Sequence, residues 1–379
     1  MQNNTEINSK QRDSNFELFR IIIMILIIAH HYVVNSGLME LNGPIDSNPF
    51  AFKSIFLLLF GVWGKTCINC FVLITGYFMC NSRITSHKFF KLLFEICFYH
   101  IVVFLVFLIS GYESFTWTGF LRAFLPITSV ADSFSGCFLL FYLCIPFLNV
   151  LIRNLNKKQH FYLLILIAFI YIVLGTIPRI EVVFNYVTWF ICLYFIGSFL
   201  RLYPINIFNS KKVWFIVSLI ITIVSSASVI LLQFISYKYG YGKYSYLLAD
   251  SNKILAVMTS VSWFLLFKNI NIKHSKIINI IGSATFGVFL IHANSDAMRR
   301  WLWQDLLRNV EMYDNGNWIY VHAICSVLGI FIVCTLIDII RQLLIEKPFM
   351  KLWDKLWNRV SIWYHNKEKK LFNENNVDE

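Results

Sequence analysis

The amino-acid sequence predicts an all-α fold, a polytopic integral membrane bundle of about ten transmembrane helices with both termini in the cytoplasm. Three observations lead there. The residues are 58% hydrophobic and 14% charged, whereas a soluble domain carries about 25% charged residues to cover its surface with groups that water solvates. Apolar runs of spanning length recur along the whole chain, and Lys and Arg gather in alternate connections between them.

Each run follows from the dimensions of a bilayer. The hydrocarbon core is about 30 Å thick and a helix rises 1.5 Å per residue, so a span takes about twenty apolar residues. Runs fall at 16–35, 54–79, 89–110, 135–152, 160–177, 184–202, 212–235, 253–269, 277–294 and 317–345. Pro146, Pro178 and short polar loops blur the ends of the fourth to sixth runs, and the ninth is equally weakly bounded. Backbone that faces lipid must satisfy its own hydrogen bonds, which makes these runs helices rather than strands. The first run follows a polar stretch and lacks a small-residue cleavage site, so it reads as a retained helix rather than a signal peptide. The 37 Phe, 18 Tyr and 11 Trp suit helix packing and interfacial belts.

Charge placement gives orientation. Lys10, Arg12, Arg83, Lys88, Lys91, Arg153, Lys157, Lys158, Arg201, Lys211, Lys212, Lys268, Lys273, Lys276 and most of the basic tail fall on one side. Lys53, Arg122, Arg179, Lys238, Lys243, Arg299, Arg300 and Arg308 fall on the other. The richer side is cytoplasmic by the positive-inside rule. The formal charge of +12 is spread between apolar runs, so no compact basic domain exists for nucleic acid. Residues 1–345 form one transmembrane domain. In the tail, 346–379, Met350, Trp353, Leu356, Trp357 and Val360 recur at helical spacing, with Lys351, Lys355 and Arg359 between them. That pattern predicts an amphipathic helix on the inner leaflet, followed by a dozen polar, disordered residues.

Nine cysteines sit mostly inside apolar runs. Cys67 and Cys70 match C-x-x-C in the middle of a span, where small buried residues explain them better than redox or metal chemistry. No metal cluster and no bound cofactor is expected.

Ionisable groups inside a span are costly and mark function. The first helix holds Glu17, Arg20, His30 and His31. At about 100° per residue, Arg20 and His31 lie roughly 20° apart on the helix surface and about 16 Å apart along it. Glu17 falls about 60° from Arg20 and 40° from His31, whereas His30 falls about 80° from Arg20. One face therefore carries an acid and a base near the cytoplasm and an imidazole deeper in the membrane. Such a stripe suits a long substrate that is anionic at one end, and an acyl-CoA fits: its phosphates want cations, and its pantetheine arm spans a similar length.

The segment Asn15-Phe16-Glu17-Leu18-Phe19-Arg20, followed by ten residues and His31, resembles the R-x10-H signature of the acyltransferase 3 family, membrane proteins that O-acylate glycans and related acceptors. Three further blocks resemble the family in the same order. They are Asn69-Cys70-Phe71-Val72-Leu73-Ile74-Thr75-Gly76-Tyr77-Phe78, then Lys88-Phe89-Phe90-Lys91, then Phe286-Gly287-Val288-Phe289-Leu290-Ile291-His292. The Lys88–Lys91 block departs from the family's R-x-x-R, keeping the charge but losing the bidentate guanidinium fork.

The resemblance implies that His31 is the catalytic imidazole, as general base or as a covalent acyl carrier, and that Arg20 orients the acyl-CoA. It further implies that Lys88 and Lys91 hold the phosphates, that Glu17 orients Arg20, and that His292 lines the acceptor entrance. Lys65 and Asn69 are expected to line the cavity. The implied reaction moves an acyl group, most simply acetyl, from acetyl-CoA to a hydroxyl of a cell-surface polysaccharide or its lipid-linked precursor at the bacterial inner membrane. The rival reading is a transporter or flippase of a lipid-linked sugar, which should show internal repeats with matched broken helices; none is visible. A glycan polymerase would want longer external loops.

Overall fold

The computed structural model describes residues 12–125, 133–183, 185–239 and 244–374, with side chains to residue 361. Lys10, Lys243 and 375–379 lie outside the described residues, and the first part of the polar dozen expected to be disordered, 368–374, instead continues the last helix. Every regular element among the described residues is helical.

The principal helices are α1 (Ser14–Val34), α2 (Phe52–Gly61), α3 (Gly64–Met79), α4 (Ser86–Ile109), α5 (Phe134–Asn154), α6 (Lys157–Ile167), α7 (Tyr186–Leu202), α8 (Lys211–Tyr239), α9 (Ile254–Lys268), α10 (Lys276–Ser283), α11 (Thr285–His292), α12 (Trp318–Arg341) and α13 (Lys347–Glu374). Their starts follow local chemistry. The Thr85 hydroxyl accepts from the Lys88 amide at 3.3 Å at the head of α4. Asn156 with Gln159 and Asn185 with Thr188 form reciprocal caps on α6 and α7, satisfying amide donors that a helix start leaves open. Pro146 sits inside α5 rather than ending it.

Among the described residues seven helices are long and apolar enough to cross a membrane, or eight when the bent pair Lys276–His292 and Asp296–Asp314, which turns by 94°, is one span. This is a multi-pass membrane protein. By length the number falls below the ten or so runs expected, for a visible reason. The runs at 184–202 and 253–269 became α7 and α9, apolar helices of only 17 and 15 residues. The run at 54–79 is broken at Val62–Trp63 between α2 and α3 yet still counts as one span, Phe52–Met79.

The packing inverts a soluble protein. The large outward side chains of α8, among them Phe215, Leu219, Ile220 and Ile223, are exposed and apolar, while Thr66, Asn69, Ser260 and Ser262 are buried. With lipid outside, close backbone approach and internal hydrogen bonds hold the helices together. A Cβ at Gly197 would lie 2.7 Å from the Leu73 carbonyl oxygen, and one at Gly76 would lie 3.0 Å from the Tyr194 Cα, so α3 and α7 touch through bare backbone. Helix α1 is central, packed against α2, α3, α9, α10, α11 and α12.

At its far end α12 passes through a π-helical turn, Gln342–Glu346, straight into α13. The first turns of α13 lie on α4, with Phe94 stacked on Phe349 at 4.0 Å and Phe90 against Trp353 at 3.7 Å.

Candidate functional site

The ion-bearing face of α1 looks into the bundle. Arg20 Nη1 donates to Glu17 Oε1 at 3.1 Å, and Arg12 Nη1 donates to the same oxygen at 3.4 Å. Glu17 is buried against Gly282 of α10, where a Cβ would stand 2.5 Å from its Oε2. One carboxylate thus fixes two guanidiniums while leaving them a net positive charge.

Those guanidiniums line a cavity of about 330 Å³ that runs beside α1. Arg12, Arg20, Lys91 and Glu95 line one part; Ile27, Ile68, Phe134 and Phe289 line another. His31 does not itself line it. Ile27 lies one helical turn before His31, and the Phe289 ring is centred 6.3 Å from the His31 ring. The cavity thus has a cationic part and an apolar part that reaches the layer beneath the imidazole. A polar vestibule of about 500 Å³ shares Arg12, Lys91, Glu95 and Ser283 with it.

His31 Nδ1 and His292 Nε2 are 3.0 Å apart, and His292 Nδ1 lies 2.6 Å from the Val288 carbonyl oxygen. A carbonyl only accepts, so His292 Nδ1 carries a proton. In the neutral pair His292 Nε2 then accepts, and His31 Nδ1–H donates to it. The chain of two imidazoles leaves one lone pair, on His31 Nε2, available for chemistry. Sequence reading set His292 at an entrance; the structure instead buries it against His31.

His30 turns the other way. Its Nδ1 lies 2.5 Å from the Gly61 carbonyl oxygen, and a Cβ at Gly64 would fall 2.3 Å from its ring, so only glycine fits there. His30 lines a second cavity of about 570 Å³ together with Lys65, Asp46 and Tyr244. Lys65 Nζ donates to Tyr186 Oη at 2.5 Å and stands 3.8 Å from Asp250. The His30 and His31 rings are centred 5.6 Å apart, between the two cavities.

Two expected residues are placed elsewhere. Asn69 is fully buried: its Nδ2 donates to the Ser251 carbonyl at 2.7 Å and its Oδ1 accepts from Trp189 Nε1 at 2.9 Å. One end ties α3 to α7 and the other ties it to the turn before α9, and neither faces the cavity. Lys88 and Lys91 also part company, because Lys88 Nζ turns back to Ser82 Oγ and the Arg83 carbonyl at 2.8 and 3.0 Å. Lys91 alone lines the cavity, its Nζ 2.7 Å from Glu346 Oε1.

Sequence reasoning missed the group that carries Lys91. Buried Arg341 donates to Asp338 at 2.8 Å, to Glu346 at 2.7 Å and to Glu95 at 3.1 Å, and Tyr99 Oη donates to Asp338 at 2.8 Å. The signal was present: Glu95, Asp338 and Arg341 are ionisable residues inside apolar runs, the same feature that singled out Arg20 and His31. Arg12, which lines both the cavity and its vestibule, precedes the first run and carried no such signal.

Neither the curated proteins nor the solved structures include a match to this chain. The family model described as an acyltransferase domain (Acyl_transf_3) matches residues 13–339, which takes in α1, the second cavity wall, Lys91 and the His31–His292 pair. The chain belongs to the acyltransferase 3 family.

Proposed function

We propose that this protein moves an acyl group, acetyl in the simplest case, from cytosolic acyl-CoA to a hydroxyl of a cell-surface polysaccharide or its lipid-linked precursor. The observation that carries this reading is the cavity beside α1, cationic at Arg12, Arg20 and Lys91 and apolar beneath His31. Its lining matches a donor with phosphates at one end and a thioester on a thin arm at the other. The reading counts the two short apolar helices α7 and α9 as crossings beside the seven long spans and the bent pair, which makes ten. An even number returns the chain to its starting side, and the charge asymmetry of the loops makes that side cytoplasmic. The setting is the bacterial inner membrane.

In this reading Arg20 and Lys91 bind the donor's phosphates, and Glu17 holds Arg20 in place. The acceptor enters the second cavity, lined by His30 and Lys65. His31 Nε2 takes the proton from the acceptor hydroxyl as its oxygen attacks the thioester carbonyl. The C–S bond breaks, an ester forms, and the CoA thiolate leaves with the proton returned by the imidazolium. His292 holds His31 in the tautomer that keeps Nε2 free.

The test is His31→Ala in cells that otherwise acylate their surface glycan, with glycan mass measured alongside membrane insertion. We expect the acyl mass to vanish while the protein inserts normally. Retained acylation would remove His31 from the mechanism, and an unchanged glycan in cells lacking the whole chain would remove the acceptor.

A further inference from the structure

A third cavity, of about 510 Å³, opens between the start of α1, the end of α7 and the segment that follows α9. Its walls include Arg12, Tyr77, Arg201, Asn209, Lys268 and His274. Arg12 and His274 also line the vestibule of the α1 cavity, so the two spaces meet at those side chains. The cations differ between them. In the vestibule Lys91 and Arg341 are engaged by Glu95 and Glu346. In the third cavity Arg201 meets only the Tyr77 hydroxyl, at 2.9 Å, and Lys268 meets only Asn209 Oδ1 and the Phe208 carbonyl, at 2.9 and 3.3 Å. Neither pairs with a carboxylate among the described residues.

Asp13 also lines the cavity but makes no ion pair with either cation, so two half-buried cations face one polar space and repel each other until an anion joins them. We propose that this cavity binds the 3′-phosphate of the donor's nucleotide, with Arg201 and Lys268 as its ligands and Arg12 as the link to the rest of the molecule. The inference rests on the acyl-CoA reading above and deepens it. The arm and thioester lie beside α1, the diphosphate lies among Arg12, Arg20 and Lys91, and the adenosine 3′-phosphate turns past Arg12 into the third cavity. The guanidinium of Arg201, held from behind by Tyr77, leaves further N–H groups for phosphate oxygens.

The full chain in detergent is titrated with adenosine 3′,5′-bisphosphate, adenosine 5′-monophosphate and glycerol phosphate, the last standing in for a lipid headgroup. The wild type should prefer the bisphosphate over the monophosphate by about 10-fold or more, the worth of a charge-assisted phosphate contact. Arg201→Gln and Lys268→Gln should each lose about that factor for the bisphosphate and change little for the monophosphate. Should Arg201→Gln not fold because Tyr77 loses its partner, Lys268→Gln alone decides. Equal binding of the two nucleotides by the wild type, wild-type affinity in the variants, or glycerol phosphate binding as tightly as the bisphosphate would each overturn the site. Acetyl transfer is measured on the same preparations. A chain that binds the bisphosphate through Arg201 and Lys268 yet never uses acetyl-CoA would refute the acyltransferase donor and leave the nucleotide site standing.

Discussion

His292→Ala is the sharpest probe of the imidazole pair. Among the described residues it removes the one acceptor that the His31 Nδ1–H has, the Nε2 of a buried ring 3.0 Å away. A buried donor left unpaired costs about 1–3 kcal/mol. The ring relieves that cost by rotating or by moving its proton to Nε2, and either change hides the lone pair proposed to take the acceptor's proton. At about 1.4 kcal/mol per factor of ten, kcat should fall roughly 10- to 100-fold. The cations Arg12, Arg20 and Lys91 are untouched, so the KM for acetyl-CoA should stay within about two-fold, the mark of an interaction used in the transition state alone. His292→Gln supplies a carbonyl that can accept from Nδ1–H and should recover much of the loss. The assay is acetyl transfer from acetyl-CoA in purified membranes, with thermal stability followed in parallel. A folded His292→Ala protein with wild-type kcat, or one whose entire loss lies in KM, would refute the positioning role.

Two further predictions use other parts of the structure. Lys91→Ala should raise the KM for acetyl-CoA about 10-fold, whereas Lys88→Ala should leave it within about two-fold, because only Lys91 faces the cavity; equal effects measured in one transfer assay would deny the split. Gly197→Ala puts a methyl 2.7 Å from the Leu73 carbonyl in a contact between two backbones, so it should destabilise the folded protein by about 1–3 kcal/mol. That loss would appear as a lower melting temperature in detergent, and an unshifted melt would show that α3 and α7 are free to separate.

The membrane class and the helix positions were legible because a bilayer imposes one length and one polarity on every span. The run at 16–35 became Ser14–Val34, and that at 89–110 became Ser86–Ile109. What escaped was anything decided between helices. The face shared by Glu17 and Arg20 follows from 3.6-residue periodicity alone, and their ion pair is there. The bond from His31 to His292 joins residues 261 apart, and no local rule reports such a distance. Asn69 shows the converse error. A polar residue in a span was read as facing a cavity, but in lipid a buried amide serves equally to join α3 to the Trp189 indole and the Ser251 backbone.

The same reasoning explains why K-x-x-K divides. Two lysines three apart share a helix face, yet a face has neighbours of its own. Lys91 is drawn inward by Glu346, which the π-helical turn at the end of α12 carries toward α4. Lys88, one turn nearer the start of α4, meets the Ser82–Thr85 loop and spends its donors there. The acid that selects between them lies beyond residue 339, where the acyltransferase match ends. The cationic end of the α1 cavity is therefore completed by the π-helical turn that follows α12, and a chain cut before Gln342 would keep His31 and Arg20 but lose the carboxylate that aims Lys91.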